Sequence, residues 1–199
     1  TLAYGLAPTP TTAALGFDVG DKISSVDGMV LDDAMDINKW LFLRDVSTVE
    51  VVRADGTNAS VAIPEDFGKQ LFAAGEMIPF VPYIPAIIDR VVVGSSAEAA
   101  GLLANDQIIG VDGTAINPWH PTTIPPVQVS NAFKQRQSEK VVMQISRDNI
   151  ISEIEIPVAI GDTLGIYYKG TFPKATTYTY DVGQSIKEGF NYGYWTLFD

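Results

Sequence analysis

The feature that most constrains this chain's fold is a stretch that occurs twice. Ala13 to Gly28, AALGFDVGDKISSVDG, aligns without a gap to Glu98 to Gly113, EAAGLLANDQIIGVDG, at an offset of 85 residues. Ala14, Gly16, Asp21, Ile23, Val26, Asp27 and Gly28 recur as Ala99, Gly101, Asp106, Ile108, Val111, Asp112 and Gly113. Spaced identity of this kind marks two copies of one structural unit. Each copy reads as a short helix, a glycine stop, a strand and a turn. Alanine suits the helical turn and glycine the left-handed position that ends it, while Asp-Gly suits the tight turn. Asn105 stands where the first copy has Gly20. Asn also enters left-handed conformation readily, so this turn is expected to survive.

The repeat extends in both directions. Tyr4 to Pro8 and, at the same offset, Asp89 to Val93 read as strands leading into the two copies. The counterpart of Gly75 to Ile88 would fall mostly before Thr1, so the first unit is expected to lack its N-terminal strand or to borrow one. Downstream, Asp32-Asp33 is placed to cap a helix carrying Ile37, Trp40, Leu41 and Arg44, with Trp40 in the core. Val49 to Ile63 alternates around Asp55-Gly56 and predicts a hairpin. Val141 to Ile156 repeats that hairpin, with Arg147 matching Arg53 and Asp148-Asn149 at the turn. Between the units, Glu65 to Gly75 predicts a short helical linker. Met77 to Ile88 is apolar with three prolines, which fits an extended edge strand or loop and excludes a central strand or helix. Asn117 to Pro126 reads as an irregular exposed loop, and Val129, Ala132, Phe133 and Arg136 as a helix face. Thr163 to Tyr168 and Tyr178 to Tyr180 read as strands. In the tail, Val182, Ile186, Phe190 and Tyr194 fall on one helix face, which packs on its own domain or lies at a membrane interface.

The expected division is a first unit over residues 1–64, a linker over 65–75, a second unit over 76–160 and an extension with an aromatic helix over 161–199. A length of 199 residues accommodates this. The net charge of −11 argues against nucleic acid and against adhesion to anionic lipid through a polybasic patch. The chain has no cysteine, which excludes disulfide and thiolate chemistry and fits a periplasmic or extracellular location without requiring one. It starts at Thr1 in mid-pattern with no signal peptide, as an excised soluble piece would. Residues 113–133 lack charges, yet prolines and polar residues rule them out as a membrane span.

Catalytic chemistry finds little footing. His120 is the sole histidine, so an H-E-x-x-H zinc site cannot be built and a Ser-His triad has one candidate base, in a loop. No G-x-S-x-G elbow, P-loop or dinucleotide glycine pattern is present. Asp21/Asp27 and Asp106/Asp112 recur as pairs, which points to turn and loop ordering rather than catalysis. No catalytic residue, metal ligand or cofactor is expected in the chain itself.

The repeated segment resembles the PDZ domain in its bacterial protease form, S-P-A-x-x-A-G-L-x-x-G-D-x-I-x-x-V-D-G. The resemblance implies an α+β fold: two PDZ-like units in tandem, each a small, partly open β-barrel with two helices, followed by a strand and helix extension. It also implies capture of an extended peptide, with a free C-terminus, on a sheet edge. For the second unit the expected groove sets Met77, Ile78, Phe80 and Val81 against Val129 and Phe133, which otherwise are simply core. The run AAGEMIPFVP lacks a Gly-Leu-Gly-Phe-type carboxylate loop, which argues against tight carboxylate capture there.

The tail narrows the resemblance. Leu164-Gly165-Ile166 followed by GQSIKEGFNYGYWTL, with FVPYIPAIID before the second unit, is similar to the periplasmic segment of the bacterial site-2 intramembrane zinc proteases, the regulator of sigma-E protease family. That implies a piece of a multi-pass inner-membrane protein facing the periplasm. Its zinc and catalytic motifs would lie in transmembrane helices outside this chain. Its partner would be a membrane-protein substrate, an anti-sigma factor or signal-peptide remnant, admitted or read by the tandem in regulated intramembrane proteolysis. The alternatives are the PDZ tandem of an HtrA-type periplasmic serine protease and a non-proteolytic peptide-binding scaffold.

Overall fold

The computed structural model describes residues 2–120, 122–170, 181 and 183–185. The expected strand over Tyr178 to Tyr180 and nearly all of the expected aromatic helix lie outside the described residues.

The first unit begins with strand β1 (Leu6–Pro8), then helix α1 (Pro10–Ala13) and strand β2 (Lys22–Val26). Thr9 caps α1 and Pro10 opens it, where a missing N–H costs nothing. Gly16 follows at φ 106°. At the turn after β2, Asp27 and Gly28 both take positive φ, 47° and 78°. A 3-10 turn (Ala34–Asp36), capped by the Asp33 carboxylate on the Met35 N–H (2.9 Å), leads into α2 (Ile37–Leu43). Hairpin β3 (Thr48–Val52) and β4 (Asn58–Ala62) extends the sheet in the order β2-β3-β4. Helix α3 (Phe67–Ala74) ends on left-handed Gly75.

Strand β5 (Phe80–Pro82) then pairs antiparallel with β1, Leu6 opposite Pro82 and Pro8 opposite Phe80. This is the strand expected to be missing or borrowed, and the chain supplies it from downstream. Phe80 is fully buried and meets the Phe17 ring edge-on, centroids 5.0 Å apart. The first core holds Leu6, Phe17, Ile37, Leu41, Val49, Val51, Phe67, Leu71 and Phe80, with Trp40 half-buried against it. The helix read as a linker therefore belongs to the first core through Phe67 and Leu71. The boundary expected at residues 64–76 cuts through this packed layer.

The second unit repeats the order: β6 (Ile88–Val91), α4 (Ser96–Ala99), β7 (Gln107–Val111), β8 (Thr114–Ala115), α5 (Pro125–Gln135), the hairpin β9 (Lys140–Arg147) and β10 (Ile150–Pro157), then β11 (Ile166–Tyr168). Its larger sheet runs β10-β9-β7-β8, and β11 pairs antiparallel with β6, Val91 opposite Ile166. In each unit a single bridge joins the small sheet to the large one, Leu6 to Asp21 and Ile87 to Gln107. The fold is thus α+β with two similar, partly open barrels. Asn105 sits at φ 74°, as its replacement of Gly20 required. Helix α5 starts at Pro125, four residues before the face read from the sequence, because proline is well tolerated at a helix's first turn.

The recurring aspartates act as braces. Asp27 accepts the N–H of Ser47 and of Thr48, and Asp112 accepts that of Val142 at 2.8 Å, in each case tying the turn to the neighbouring strand. Asp21 and Asp106 are buried and paired with Arg53 and Arg147 across the barrel.

Candidate functional site

Strand β11 has one satisfied edge and one edge that is open among the described residues. The Val92 N–H donates to Gly165 O (2.8 Å) and the Lys169 N–H to Ile87 O (2.9 Å). Backbone direction alternates along a strand, so Gly165, Tyr167 and Lys169 face β6 while the N–H and C=O of Ile166 and Tyr168 face the other way. No strand pairs on that side among the described residues. Ser130 of α5 lies beside the Tyr168 hydroxyl, so α5 packs next to β11. Ile166, Tyr168, Ala132 and Phe133 are half-buried against a floor that includes Val129 and Leu164.

The loop entering β11 bends at two glycines. Gly161 and Gly165 take φ of 95° and 79°. The carbonyls of Leu164 and Gly165 turn inward to the N–H groups of Ala97 (3.1 Å) and Val92 (2.8 Å). The N–H groups of Leu164 and Gly165 have no acceptor among the described residues. Arg136, at the end of α5, donates to Ala159 O (2.6 Å) and to Phe133 O (2.8 Å), and its guanidinium lies over the Phe133 ring at 3.8 Å. It clamps helix to loop and brings a positive charge to this end of the groove.

Burial pushes the Tyr168 phenol up to about 12, and the Ser130 hydroxyl beside it pulls slightly the other way. A phenol that ionises later in the folded chain than in the unfolded one loses stability for the fold as pH rises. The loss begins near the ordinary value of 10.0 and is complete once the folded phenol also ionises. Chemical unfolding between pH 9 and 12 is expected to show this decline, and Tyr168→Phe to flatten it. An identical slope in both proteins would remove Tyr168 from its assigned place between sheet and helix.

The sequence-derived groove residues fall on two different units. Val129 is buried in the second core, with Phe133 packed on it from α5. Phe80 and Val81 lie in β5, paired with β1, and Met77 and Ile78 are exposed on the loop before it. The two halves of the expected groove do not meet: the strand beside α5 is β11, and β5 holds the equivalent place in the first unit. The run AAGEMIPFVP leads into β5 of the first unit, and the loop in the equivalent place of the second unit is Gly161 to Gly165, before β11. One signal was available: Thr163-Leu164-Gly165-Ile166 is a loop-then-strand sequence with the glycine and apolar residue in register.

Among the described residues no group of three or more His, Cys, Asp and Glu could hold a metal ion, so they do not fit a zinc site. His120 is an exposed loop residue whose Nδ1 accepts the Thr122 N–H at 3.2 Å. No helix among the described residues is long and apolar enough to cross a membrane.

A comparison with protein-family models bears on the earlier part of this unit. The PDZ domain model matches residues 87–147, running from β6 through the α5 wall of the groove to the end of β9. β11 lies beyond the match but completes the same sheet. Residues 87–147 of this chain form a PDZ domain.

Proposed function

We propose that the second unit binds an extended peptide by strand addition to the open edge of β11, with the peptide's C-terminal carboxylate in the loop Gly161 to Gly165. The observation that carries this is the outward N–H and C=O of Ile166 and Tyr168, which have no backbone partner among the described residues. An added strand satisfies them, and side chains pointing inward meet Leu164, Ile166, Val129 and Phe133. The walls are apolar, which favours peptides with an apolar last residue. The Leu164 and Gly165 N–H groups, without an acceptor among the described residues, and the Arg136 guanidinium bonded to Ala159 O ahead of the loop favour a carboxylate over a neutral end.

We further propose that the tandem serves a membrane-embedded zinc protease of the site-2 family, on the periplasmic side of a bacterial inner membrane. There it would control access of a membrane-protein substrate or read its trimmed end. Support comes from Leu164-Gly165-Ile166 and the aromatic run GQSIKEGFNYGYWTL. The zinc and the catalytic groups would belong to the rest of that protein.

Two experiments test these levels separately. An array of hexapeptides with free C-termini is expected to yield apolar-ended binders. Fluorescence polarisation of one such peptide should show affinity falling about tenfold or more when its C-terminus is amidated. Equal binding of both forms would reject carboxylate capture. Reading the coding region on both sides should show an apolar helix with H-E-x-x-H upstream. A soluble trypsin-like domain, or no enzyme, would leave the HtrA-type or the scaffold reading.

A further inference from the structure

We infer that the matching edge of the first unit is sealed from within, by Asn38 and by the second unit, so that the tandem presents one strand-addition edge and not two. The seal is visible in the hydrogen bonds of β5. The Thr9 N–H donates to Pro79 O and the Tyr83 N–H to Gly5 O, both at the β1 side. By strand alternation Ile78, Phe80 and Pro82 turn their backbone groups to the other edge, the one that in the second unit is open.

That edge is already occupied at Phe80 and at the Ile78 carbonyl. The carboxamide of Asn38 in α2 accepts the Phe80 N–H (2.8 Å) and donates to Phe80 O (2.9 Å). One side-chain amide thereby does what a residue of an added strand would do, offering a carbonyl and an N–H to the same backbone unit. The Trp119 indole N–H, from the long loop of the second unit, donates to Ile78 O (3.1 Å). Pro82 has no N–H to offer. Just beyond β5, the Tyr83 hydroxyl accepts from Gln107 Nε2 of β7 (2.8 Å). The edge that would take a peptide is held by the helix beside it, and its two ends are bonded to the second unit. The first unit serves as a mount for its neighbour.

The helix on which Asn38 sits corresponds to α5, from which no side chain bonds the β11 backbone among the described residues. The difference between a closed and an open edge therefore rests largely on one carboxamide.

Amide hydrogen exchange by NMR tests this without a ligand. In the unmodified tandem the Asn38 side-chain protons and the Phe80 amide should exchange at least about tenfold more slowly than their free-peptide rates. Asn38→Ala should speed Phe80 exchange about tenfold, with Val49 and Val51 in the core unchanged. Unprotected Asn38 side-chain protons, or a Phe80 rate indifferent to Asn38→Ala, would overturn the seal. If Val49 and Val51 also accelerate in the variant, the protection measured in the unmodified protein decides. A second readout uses a C-terminal hexapeptide taken from the array. It should shift resonances of the second unit alone in the unmodified tandem, and add shifts at Val81 and Tyr83 in Asn38→Ala. Shifts at Val81 and Tyr83 in the unmodified protein would overturn the proposal. Absence of any binding peptide would reject the function proposed for β11 and leave the exchange result to judge the seal.

Discussion

Gly165→Ala is expected to abolish peptide binding and to destabilise the second unit by about 2–4 kcal/mol. Gly165 sits at φ 79°, which an L side chain enters at a cost of roughly 1–2 kcal/mol. There is also no room. A Cβ built there would lie 2.3 Å from the Ser95 Cβ and 2.7 Å from its Oγ. Ser95 cannot easily yield, because its Oγ caps α4 by accepting the Glu98 N–H (3.2 Å). Relief must come from moving the loop, which breaks the Val92–Gly165 bond that sets the register of β11 and turns the free N–H groups of the loop away. Thermal unfolding and peptide binding measured together are the check. A variant that unfolds at the unmodified temperature and binds peptide normally would show that the loop is not built as described.

The second large effect is expected from Arg147→Ala, a loss of about 3 kcal/mol. Arg147 meets Asp106 with two nitrogens, Nε at 2.6 Å and Nη2 at 2.7 Å, and Nη2 also donates to Gly101 O. Asp106 is almost wholly buried, and its remaining bond is the Leu103 N–H at 2.8 Å. Removing the arginine leaves a buried carboxylate with one partner, a state costlier than having neither charge. The double change Asp106→Asn with Arg147→Ala should therefore recover part of the loss. Denaturant unfolding of the three proteins supplies the comparison. A double variant no more stable than Arg147→Ala would mean that the arginine matters for packing rather than for charge. The pair recurs in the first unit, where Arg53 meets Asp21 at 2.6 Å and burial pushes the Asp21 carboxyl up, against the pull of its bonds to Asp18 N–H and Arg53.

Much of the fold was legible because the sequence states it twice. Gly16 and Gly101, Asp21 and Asp106, and Asp27 and Asp112 each do the same job in both units. The alternation around Asp55-Gly56 and Asp148-Asn149 marked the hairpins, the latter turning with φ of 51° and 64°. The strand that completes each barrel was harder to assign. Phe80 to Pro82 is short, proline-bounded and next in sequence to the second unit, so local pattern says only that it is extended. Its pairing with β1 across more than seventy residues is a tertiary fact, set by Phe80 fitting against Phe17 and Leu6. The same misassignment moved the candidate groove one unit away from Val129 and Phe133. Neither the Asn38 clip nor the Trp119 bond has a sequence signature, since a side-chain amide on a half-buried helix face reads as solvated until its partner is known.

A 15N–1H NMR titration of the tandem with an array-selected hexapeptide bearing a free C-terminus tests peptide addition to β11. Binding there is expected to shift Leu164 to Lys169 and α5 at Val129 and Phe133, and to slow exchange of the Ile166 and Tyr168 amides in the complex. Shifts confined to the free edge of β10 or to the first unit, with β11 unchanged, would contradict it.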